Sequence, residues 1–137
     1  MENQIKQLKI SNFKSIREAE LECGRINLFV GKPNTGKSNL LEALSLLGHG
    51  YSTSKSFMAD FIRYEKLSNL FHFLNLESPI QIVSDLGTAS ISHDFEKNEY
   101  AFSCHDHRPK FKDSQKAEIV LQPDGSILRQ EGEAFNP

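Results

Sequence analysis

The 137-residue sequence predicts a mixed α/β (α+β) fold, with a strand–loop–helix unit in its front half and antiparallel β hairpins in its back half. Two observations carry this prediction. In the front half, a mostly apolar run at residues 26–30 leads through a glycine-rich loop into leucines at helical spacing. Beyond Pro79 the apolar residues alternate with polar ones, which is typical of strands with one buried face.

Composition and charge narrow the class of protein. A length of 137 residues fits about one domain, and 38% hydrophobic residues suffice for an ordinary core. The net charge of -2 does not favour a nucleic-acid binder, so a DNA partner would require a local basic patch. No apolar run approaches the roughly 20 residues of a membrane span, and two isolated cysteines are typical of a reducing compartment. We therefore expect a cytoplasmic protein with no membrane partner.

The first strands follow from alternation and from one apolar run. The stretch "QLKISNF", at residues 7–13, places Leu8 and Ile10 on one face and Lys9 on the other. In "EAELEC", at residues 18–23, the glutamates point outward while the small and apolar side chains point inward. After a turn at Gly24 comes "INLFV", whose mostly apolar run predicts a strand buried on both faces.

Two later stretches have helical spacing. In the first, the recurring residues are Leu40, Leu44 and Leu47, and the glycines at positions 48 and 50 are suitable helix stops. In the second, they are Leu67, Leu70, Phe71 and Leu74, and Pro79 prevents continuation. We therefore expect a single lobe over residues 1–137, divided into a loop-bearing core (1–50), a helical connector (51–79) and antiparallel hairpins (80–137).

The back half consists of short strands joined by tight turns. The alternating segments are "IQIVSDL", "TASISHDF", "YAFSC", "AEIVLQ" and "SILRQ". The segment "EKNE" is a predicted turn between the second and third strands. The segment "PDG" lies between the last two and contains the Asp-Gly pair that is typical of hairpins. Such short connections predict antiparallel neighbours.

The glycine-rich loop, "GKPNTGKS" at residues 31–38, fits the P-loop (Walker A) pattern G-x-x-x-x-G-K-[ST]. Gly31 and Gly36 let the backbone turn tightly and approach a phosphate without a side chain in the way. The amides of the loop then form a concave anion site, and the following helix adds the positive end of its dipole. A buried strand before the loop and a helix after it are the context that this pattern requires.

The same loop predicts ATP and Mg²⁺ as cofactors. Lys37 would reach the β- and γ-phosphates and is the candidate catalytic residue. The hydroxyl of Ser38 would bind Mg²⁺, a cation that prefers hard oxygen ligands. Pro33 lacks an amide donor and stiffens the loop. The predicted nucleotide contacts along this stretch are Gly31, Lys32, Pro33, Asn34, Thr35, Gly36, Lys37, Ser38 and Asn39.

The segment "NFKS" at residues 12–15 and the run "NLFVGKPNTGKSNLLEAL" resemble the N-terminal half of an ABC-type ATPase head of the RecF, SMC and OLD group. The resemblance is strong over residues 5–48 and weakens to an architectural likeness over residues 60–135. Position 35 is threonine, whereas this group often has glycine after the loop asparagine. The loop is therefore expected to be stiffer, but Thr35 can still donate its backbone amide. The resemblance implies that Asn12, Phe13 and Lys14 lie beside the base and sugar of ATP. As alternatives, Phe13 is a core aromatic and Lys14 is a solvated charge.

By this resemblance the chain is the first lobe of an ATPase acting in DNA repair, chromosome maintenance or defence, whose heads close on ATP as a head-to-head homodimer. The resemblance implies that hydrolysis uses an apolar strand ending in Asp-Glu, a Ser-Gly-rich signature donated by a second head, and a histidine or its equivalent. The sequence contains neither of the first two. We therefore expect the 137 residues to be part of a longer protein. Two alternatives stay open: a binding module that responds to ATP without hydrolysing it, and a small self-contained NTPase in which Asp85 binds the metal.

Three further features are weaker candidates. Gln130, in "ILRQEGE", resembles the glutamine with which this superfamily senses the γ-phosphate, but an exposed strand residue explains it equally well. In the "CHDH" segment, at residues 104–107, two histidines could hold zinc only with a third and a fourth ligand from elsewhere, for which His93 is the nearby candidate. A polar strand end that enters a loop is the simpler interpretation. The "HRPKFK" segment, at residues 107–112, combines basic residues with an aromatic as nucleic-acid contacts do, although a solvated loop is the simpler interpretation.

Overall fold

The computed structural model describes residues 5–24, 37–47, 62–106 and 115–131. In chain order the elements are β1 (Gln7–Phe13), β2 (Ile16–Glu22), α1 (Lys37–Ser45), the 3₁₀ helices Leu67–Leu70 and His72–Leu74, β3 (Ile80–Ser84), β4 (Gly87–Asp94), β5 (Glu99–Asp106), β6 (Gln115–Leu121) and β7 (Ile127–Glu131). The strand predicted at residues 26–30 and the loop after it lie outside the described residues. The described ranges define the sheet and the placement of α1 on it.

These strands form one seven-stranded antiparallel sheet in the order β2-β1-β3-β4-β5-β6-β7. Strand β1 lies between β2 and β3, so that Ile10 is opposite Ala19 on one side and Ile82 on the other. The predicted hairpins β3–β4, β4–β5 and β6–β7 are all present. The sheet therefore joins the first two strands of the front half to the hairpins of the back half.

One face of the sheet is apolar because its strands alternate, and this face carries the core. Fully buried side chains on it include Ile10, Ile82, Ile91, Phe102 and Leu121. Leu8 and Ile10 are buried while Lys9 is exposed, and in β2 the inward residues lie between exposed glutamates, both as predicted. Burial contributes roughly 25 cal/mol per Å² of apolar area removed from water, so this face is the main source of stability.

Helix α1 crosses the apolar face of the sheet. Near its start, the Asn39 side chain bonds to Ser15 in the β1–β2 turn. Just beyond its end, the carbonyl oxygen of Leu47 lies 3.4 Å from the Cys104 thiol sulfur on β5. The helix therefore runs from the β1–β2 turn towards β5. Cys104 is buried and Cys23 is partly buried, and no disulfide joins them.

The residues that α1 buries fully against the sheet differ from the leucines that the helical spacing predicts. Ala43 and Leu46 are fully buried, and they share this face with Glu42, which is a buried acidic residue. Leucines 40, 44 and 47 are partly buried beside them.

Within the described ranges, no helix combines the length and apolar character needed to cross a membrane.

The second helical stretch differs from its prediction. Residues 67–74 form two short 3₁₀ helices instead of one α-helix, and Phe71 between them is extended, with φ −84° and ψ 137°. Phe71 forms an isolated β-bridge with Phe13, so a tertiary contact interrupts the helix. Leu67 and Leu70 are buried as the spacing predicts, but Leu74 is 62% exposed and has a left-handed φ of 58°.

The chain before these 3₁₀ helices packs on the β6–β7 turn. The amide of Leu67 donates to the carbonyl of Pro123 at 2.9 Å, and Tyr64 lies over Gly125. Gly125 has a φ of +90°, and a Cβ there would lie 2.1 Å from the Tyr64 hydroxyl oxygen, so only glycine fits. The Asp-Gly turn predicted from "PDG" is thereby confirmed. Burial, together with the charge of Asp124, raises the pKa of Tyr64.

Candidate nucleotide-binding site

Helix α1 begins at Lys37, the lysine of the predicted phosphate loop. Ser38 and Asn39 therefore lie in its first turn, and Ser38 is exposed. The first amides of an α-helix have no partner within the helix, and the helix dipole places partial positive charge at this end. The start of α1 thus has the electrostatics to stabilise an anion such as a phosphate group.

The loop itself lies outside the described residues. This concerns the predicted contacts Gly31, Lys32, Pro33, Asn34, Thr35 and Gly36. For Lys37 the structure gives the backbone position at the helix start, and contact of its ammonium group with phosphate stays a prediction. The described part of the site is therefore the start of α1 and the residues packed against it.

The "NFKS" segment lies directly against the start of α1. The side-chain amide of Asn39 donates a hydrogen bond to the Ser15 hydroxyl at 2.7 Å. Lys14 and Ser15 are the two residues between β1 and β2, so this bond holds the β1–β2 turn beside the first turn of the helix. The two motifs that carry the family resemblance are thus neighbours in space, although the sequence separates them.

Asn12 and Phe13 make their contacts with protein groups. Phe13 is fully buried and bridges to Phe71, which agrees with its alternative interpretation as a core aromatic. Asn12 has a left-handed φ of 61°, and its side-chain amide donates to the carbonyls of Asn75 at 3.0 Å and Ser78 at 2.8 Å. These bonds hold the segment 75–78 against the end of β1. Contact of either residue with the base or sugar stays a prediction.

Lys14 is engaged in the interior of the fold, so its alternative interpretation as a solvated charge is wrong. Its side chain is only 15% exposed and forms an ion pair with Glu42 of α1. The same ammonium group donates to the carbonyl of Arg63 at 2.6 Å. Its φ of 49° matches the positive φ that tight hairpin turns require. The carboxylate of Glu42 also accepts from Arg63 Nε at 2.9 Å.

Glu42 is the residue that the sequence analysis missed. It is 8% exposed and lies one helical turn after Ser38, on the face that also buries Ala43 and Leu46. A buried carboxylate needs compensating charge and hydrogen bonds, and Lys14 and Arg63 supply them. The available signal was one acidic residue inside the leucine-rich run "NLLEAL", four positions after the serine of the P-loop pattern.

Asp85 lies at the wrong end of β1 for the proposed metal role. Its carboxylate accepts hydrogen bonds from the amides of Lys6 at 3.0 Å and Gln7 at 3.2 Å. Burial raises the pKa of Asp85, but these backbone hydrogen bonds outweigh it, so its pKa lies below the usual value of 3.8. Strand β1 has 7 residues and so spans about 20 Å at ~3.3 Å per residue. Ser15 and α1 lie at its other end, which argues against a metal shared by Asp85 and Ser38.

The weaker candidates are also separated in space. His93 pairs with Tyr100 across β4 and β5, whereas His105 pairs with Thr88, about 17 Å further along the sheet at ~3.3 Å per residue. The parts of the chain that the structure describes contain no cluster of metal-ligating side chains. Gln130 is exposed on β7, at the opposite edge of the sheet from β2. The segment 107–112 lies outside the described residues.

A helix that starts at the lysine of a phosphate-loop pattern and packs against a sheet is suited to a phosphate-binding lobe. Comparison with known families identifies the group. The chain matches the AAA ATPase domain over residues 4–130 and belongs to that family. A P-loop NTPase fold follows from this membership, while the described residues themselves are mostly antiparallel sheet with one α-helix.

Similar proteins support the resemblance to the RecF group. The chain is 36% identical over 63 residues to the DNA replication and repair protein RecF of Caldanaerobacter subterraneus, which covers 45% of this chain and 17% of that protein. It is 41% identical over 63 residues to RecF of Mannheimia succiniciproducens, covering 45% and 18%. It is 44% identical over 62 residues to RecF of Magnetococcus marinus, covering 44% and 16%. The predicted resemblance to RecF-type ATPases is confirmed, and the matched region is less than a fifth of each relative.

Proposed function

We propose that this chain is the ATP-binding lobe of a RecF-like, ABC-type ATPase, and that the triphosphate binds over the first turn of α1. The observation that carries the proposal is that α1 begins at Lys37, immediately after the glycine-rich loop. The free amides of the helix start, the loop amides of residues 31–36 and the Lys37 ammonium group then surround the β- and γ-phosphates. This arrangement suits a polyphosphate better than a single carboxylate because it offers several donors along one path.

Magnesium completes the proposed site. Mg²⁺ prefers oxygen ligands, keeps several waters and is usually shared between one protein oxygen and the phosphates. Ser38 is exposed in the first turn of α1, so its hydroxyl is accessible to such an ion. Within the lobe we assign residues 1–50 to the nucleotide-binding core, 51–79 to the connector and 80–137 to the hairpins that support it.

Hydrolysis, in this proposal, depends on residues beyond this lobe. Phosphoryl transfer needs a carboxylate near the metal, a group that positions water and a further charge stabiliser. The carboxylate of Glu42 is ion-paired with Lys14, and Asp85 lies at the far end of β1. We therefore assign these roles to later segments of a longer chain and to a second head in a head-to-head homodimer. This separates the proposal from a small self-contained NTPase.

The wider role is proposed by analogy with the relatives, which are named as DNA replication and repair proteins. A cytoplasmic ATPase whose closed dimer engages DNA fits that analogy. The net charge of -2 supplies no general attraction for a polyanion, so DNA contact would fall to other parts of a longer protein or to a local patch.

Ser38→Ala tests the magnesium part of the site. We expect the variant to bind ATP at least about tenfold more weakly than wild type in Mg²⁺, because the metal loses its protein ligand, and equally well in EDTA. Isothermal titration calorimetry in the two buffers measures this difference. Ser45→Ala, at the other end of the same helix, is the matched control and should bind as wild type does. An equal affinity of Ser38→Ala and wild type in Mg²⁺ would contradict the assignment.

Single-turnover hydrolysis tests whether ATP hydrolysis depends on residues beyond this lobe. We expect no phosphate release by residues 1–137 and measurable release by a longer chain that includes the natural downstream sequence, because in this proposal the longer chain supplies the metal-binding carboxylate and the second head. Hydrolysis by the lobe alone, abolished in Asp85→Ala, would instead support the self-contained NTPase. Binding without hydrolysis by both forms would support the nucleotide-responsive module.

A further inference from the structure

Both residues of the β1–β2 turn are tied to α1 by their side chains. Ser15 accepts a hydrogen bond from Asn39 in the first helical turn at 2.7 Å, and Lys14 forms an ion pair with Glu42 in the second. We refer to these four residues, Lys14, Ser15, Asn39 and Glu42, as the turn clamp. Because its two contacts are successive along the helix, the turn clamp fixes both the position and the rotation of α1 over the end of β1.

Lys14 links the helix to more than one neighbour. Its backbone amide donates to the carbonyl of Leu70 at 2.8 Å, and its carbonyl oxygen lies 2.8 Å from His72 Nδ1. Its ammonium group reaches Glu42 and the carbonyl of Arg63. Through this residue the start of α1, the end of β1 and the chain at 63–72 form one connected structure.

Lys14 and Arg63, the two basic residues that pair with Glu42, differ in their exposure to solvent. The side chain of Lys14 is 15% exposed, whereas that of Arg63 is 77% exposed. An exposed ion pair contributes little because water and salt screen it, but breaking a buried pair leaves an uncompensated charge. Lys14 is therefore the partner on which the position of Glu42, and with it α1, chiefly depends.

We propose that Lys14 and Glu42 are positioning residues of the nucleotide site: they hold α1 so that Lys37 and Ser38 meet the phosphates, without contacting ATP themselves. The inference rests on the proposed function. It assigns Lys14 of the "NFKS" segment a role other than contact with the base and sugar. The ammonium group of Lys14 is engaged by Glu42 and by the carbonyl of Arg63, and the buried carboxylate of Glu42 is engaged by Lys14 and Arg63.

The physical reason for such a clamp lies in the geometry of phosphate binding. The amides and side chains at the start of a helix bind a phosphate only when they converge on it, and a misplacement of about 1 Å weakens that convergence substantially. Two contacts on successive turns prevent α1 from sliding or rotating on the sheet. Nucleotide affinity should therefore depend on a pair of residues that never touch the ligand.

A double-mutant cycle tests the clamp. Lys14→Met and Glu42→Gln should each weaken Mg-ATP binding about tenfold, and the double variant should be no weaker than either, because both changes remove the same contact. Direct binding of ATP by Lys14 predicts another pattern. Glu42→Gln would then keep or raise the affinity, and Lys14→Met would cost the same factor in either background. That second pattern, measured by calorimetry, would overturn the proposal.

Two further variants separate positioning from a general loss of structure. Lys14→Arg keeps a cation within reach of Glu42 and should restore affinity to within about threefold of wild type. Arg63→Ala removes only the exposed partner of the same carboxylate and should change affinity by less than about twofold. A loss of affinity in Arg63→Ala as large as that in Lys14→Met would contradict the assignment of Lys14 as the main partner of Glu42.

Hydrogen exchange without nucleotide distinguishes failure of the clamp from failure of the proposed function. Lys14→Met and Glu42→Gln should each speed amide exchange within α1 by about tenfold relative to the amides of β4 and β5. Unchanged exchange in α1 would overturn the clamp even if wild type binds ATP. Conversely, faster exchange in α1 together with no ATP binding by wild type would retain the clamp and reject the nucleotide site.

Discussion

The partners of a carboxylate determine whether it stabilises the fold or is available for catalysis. Glu42 and Asp85 illustrate this. Glu42 is buried and ion-paired with Lys14, so it holds α1 in place. The carboxylate of Asp85 accepts hydrogen bonds from the amides of Lys6 and Gln7 and thereby stabilises the start of β1. Neither lies at the first turn of α1, where a metal-binding acid would be needed. At the scale of single residues, both are therefore structural.

The lowered pKa of Asp85 predicts a pH dependence of stability. Because the folded-state pKa lies below the reference value of 3.8, ionised Asp85 stabilises the fold fully above that pH. The contribution is lost as pH falls through the folded-state pKa. The difference in free energy of unfolding between wild type and Asp85→Ala should thus be constant near about pH 7 and shrink below about pH 4.

Urea denaturation at a series of pH values measures this difference. Asp85→Asn is the matched control, because it keeps an acceptor oxygen but cannot ionise, and it should remove the same share of the pH dependence. A difference between wild type and Asp85→Ala that stays constant down to about pH 3 would show that the Asp85 charge makes no such contribution.

Helix α1 matters at the scale of secondary-structure elements because it connects the predicted phosphate loop to the sheet. Its first turn is tied to the β1–β2 turn, and the chain just after it lies against Cys104 of β5. Between these ends, Leu46 is fully buried and Leu41 is 60% exposed. Packing on the sheet, rather than helix propensity, is therefore expected to determine the stability of α1.

Substitution of Leu41 in α1 and of Leu46, directly after its last residue, tests this packing. Leu46→Ala should lower the free energy of unfolding by about 2–5 kcal/mol, because it leaves a cavity in the core. Leu41→Ala should change it by less than about 0.5 kcal/mol, because the side chain is mostly in water. Midpoints of urea unfolding give both values. Equal costs for the two substitutions would show that α1 is not packed as described.

Elements whose conformation depends on local pattern could be predicted, and those set by distant contacts could not. The hairpins followed from alternation and from turns such as "PDG", since one face of the sheet is buried. The 3₁₀ helices were missed because Phe71 is drawn into a bridge with Phe13. Burial of Glu42 was missed for the same reason, since its partner Lys14 is 28 positions away in the sequence.

At the scale of the whole molecule, pairing of β1 with β3 makes one sheet from strands at the two ends of the described chain. One face of that sheet carries the core, with α1 and the chain at 62–71 packed on it. The start of α1, where the predicted nucleotide contacts converge, is thus supported by the β1–β2 turn and the sheet. The family membership and the helix start at Lys37 both agree with ATP binding at this place.

Calorimetric titration of Mg-ATP into wild type and Lys37→Ala tests the central claim most directly. We expect saturable binding by wild type and an affinity more than about tenfold lower in Lys37→Ala, because the β- and γ-phosphates lose their cation. Lys9→Ala, which removes an exposed lysine paired with Glu18 at 3.1 Å, is the control and should bind as wild type does. Equal affinity of Lys37→Ala and wild type would contradict the account.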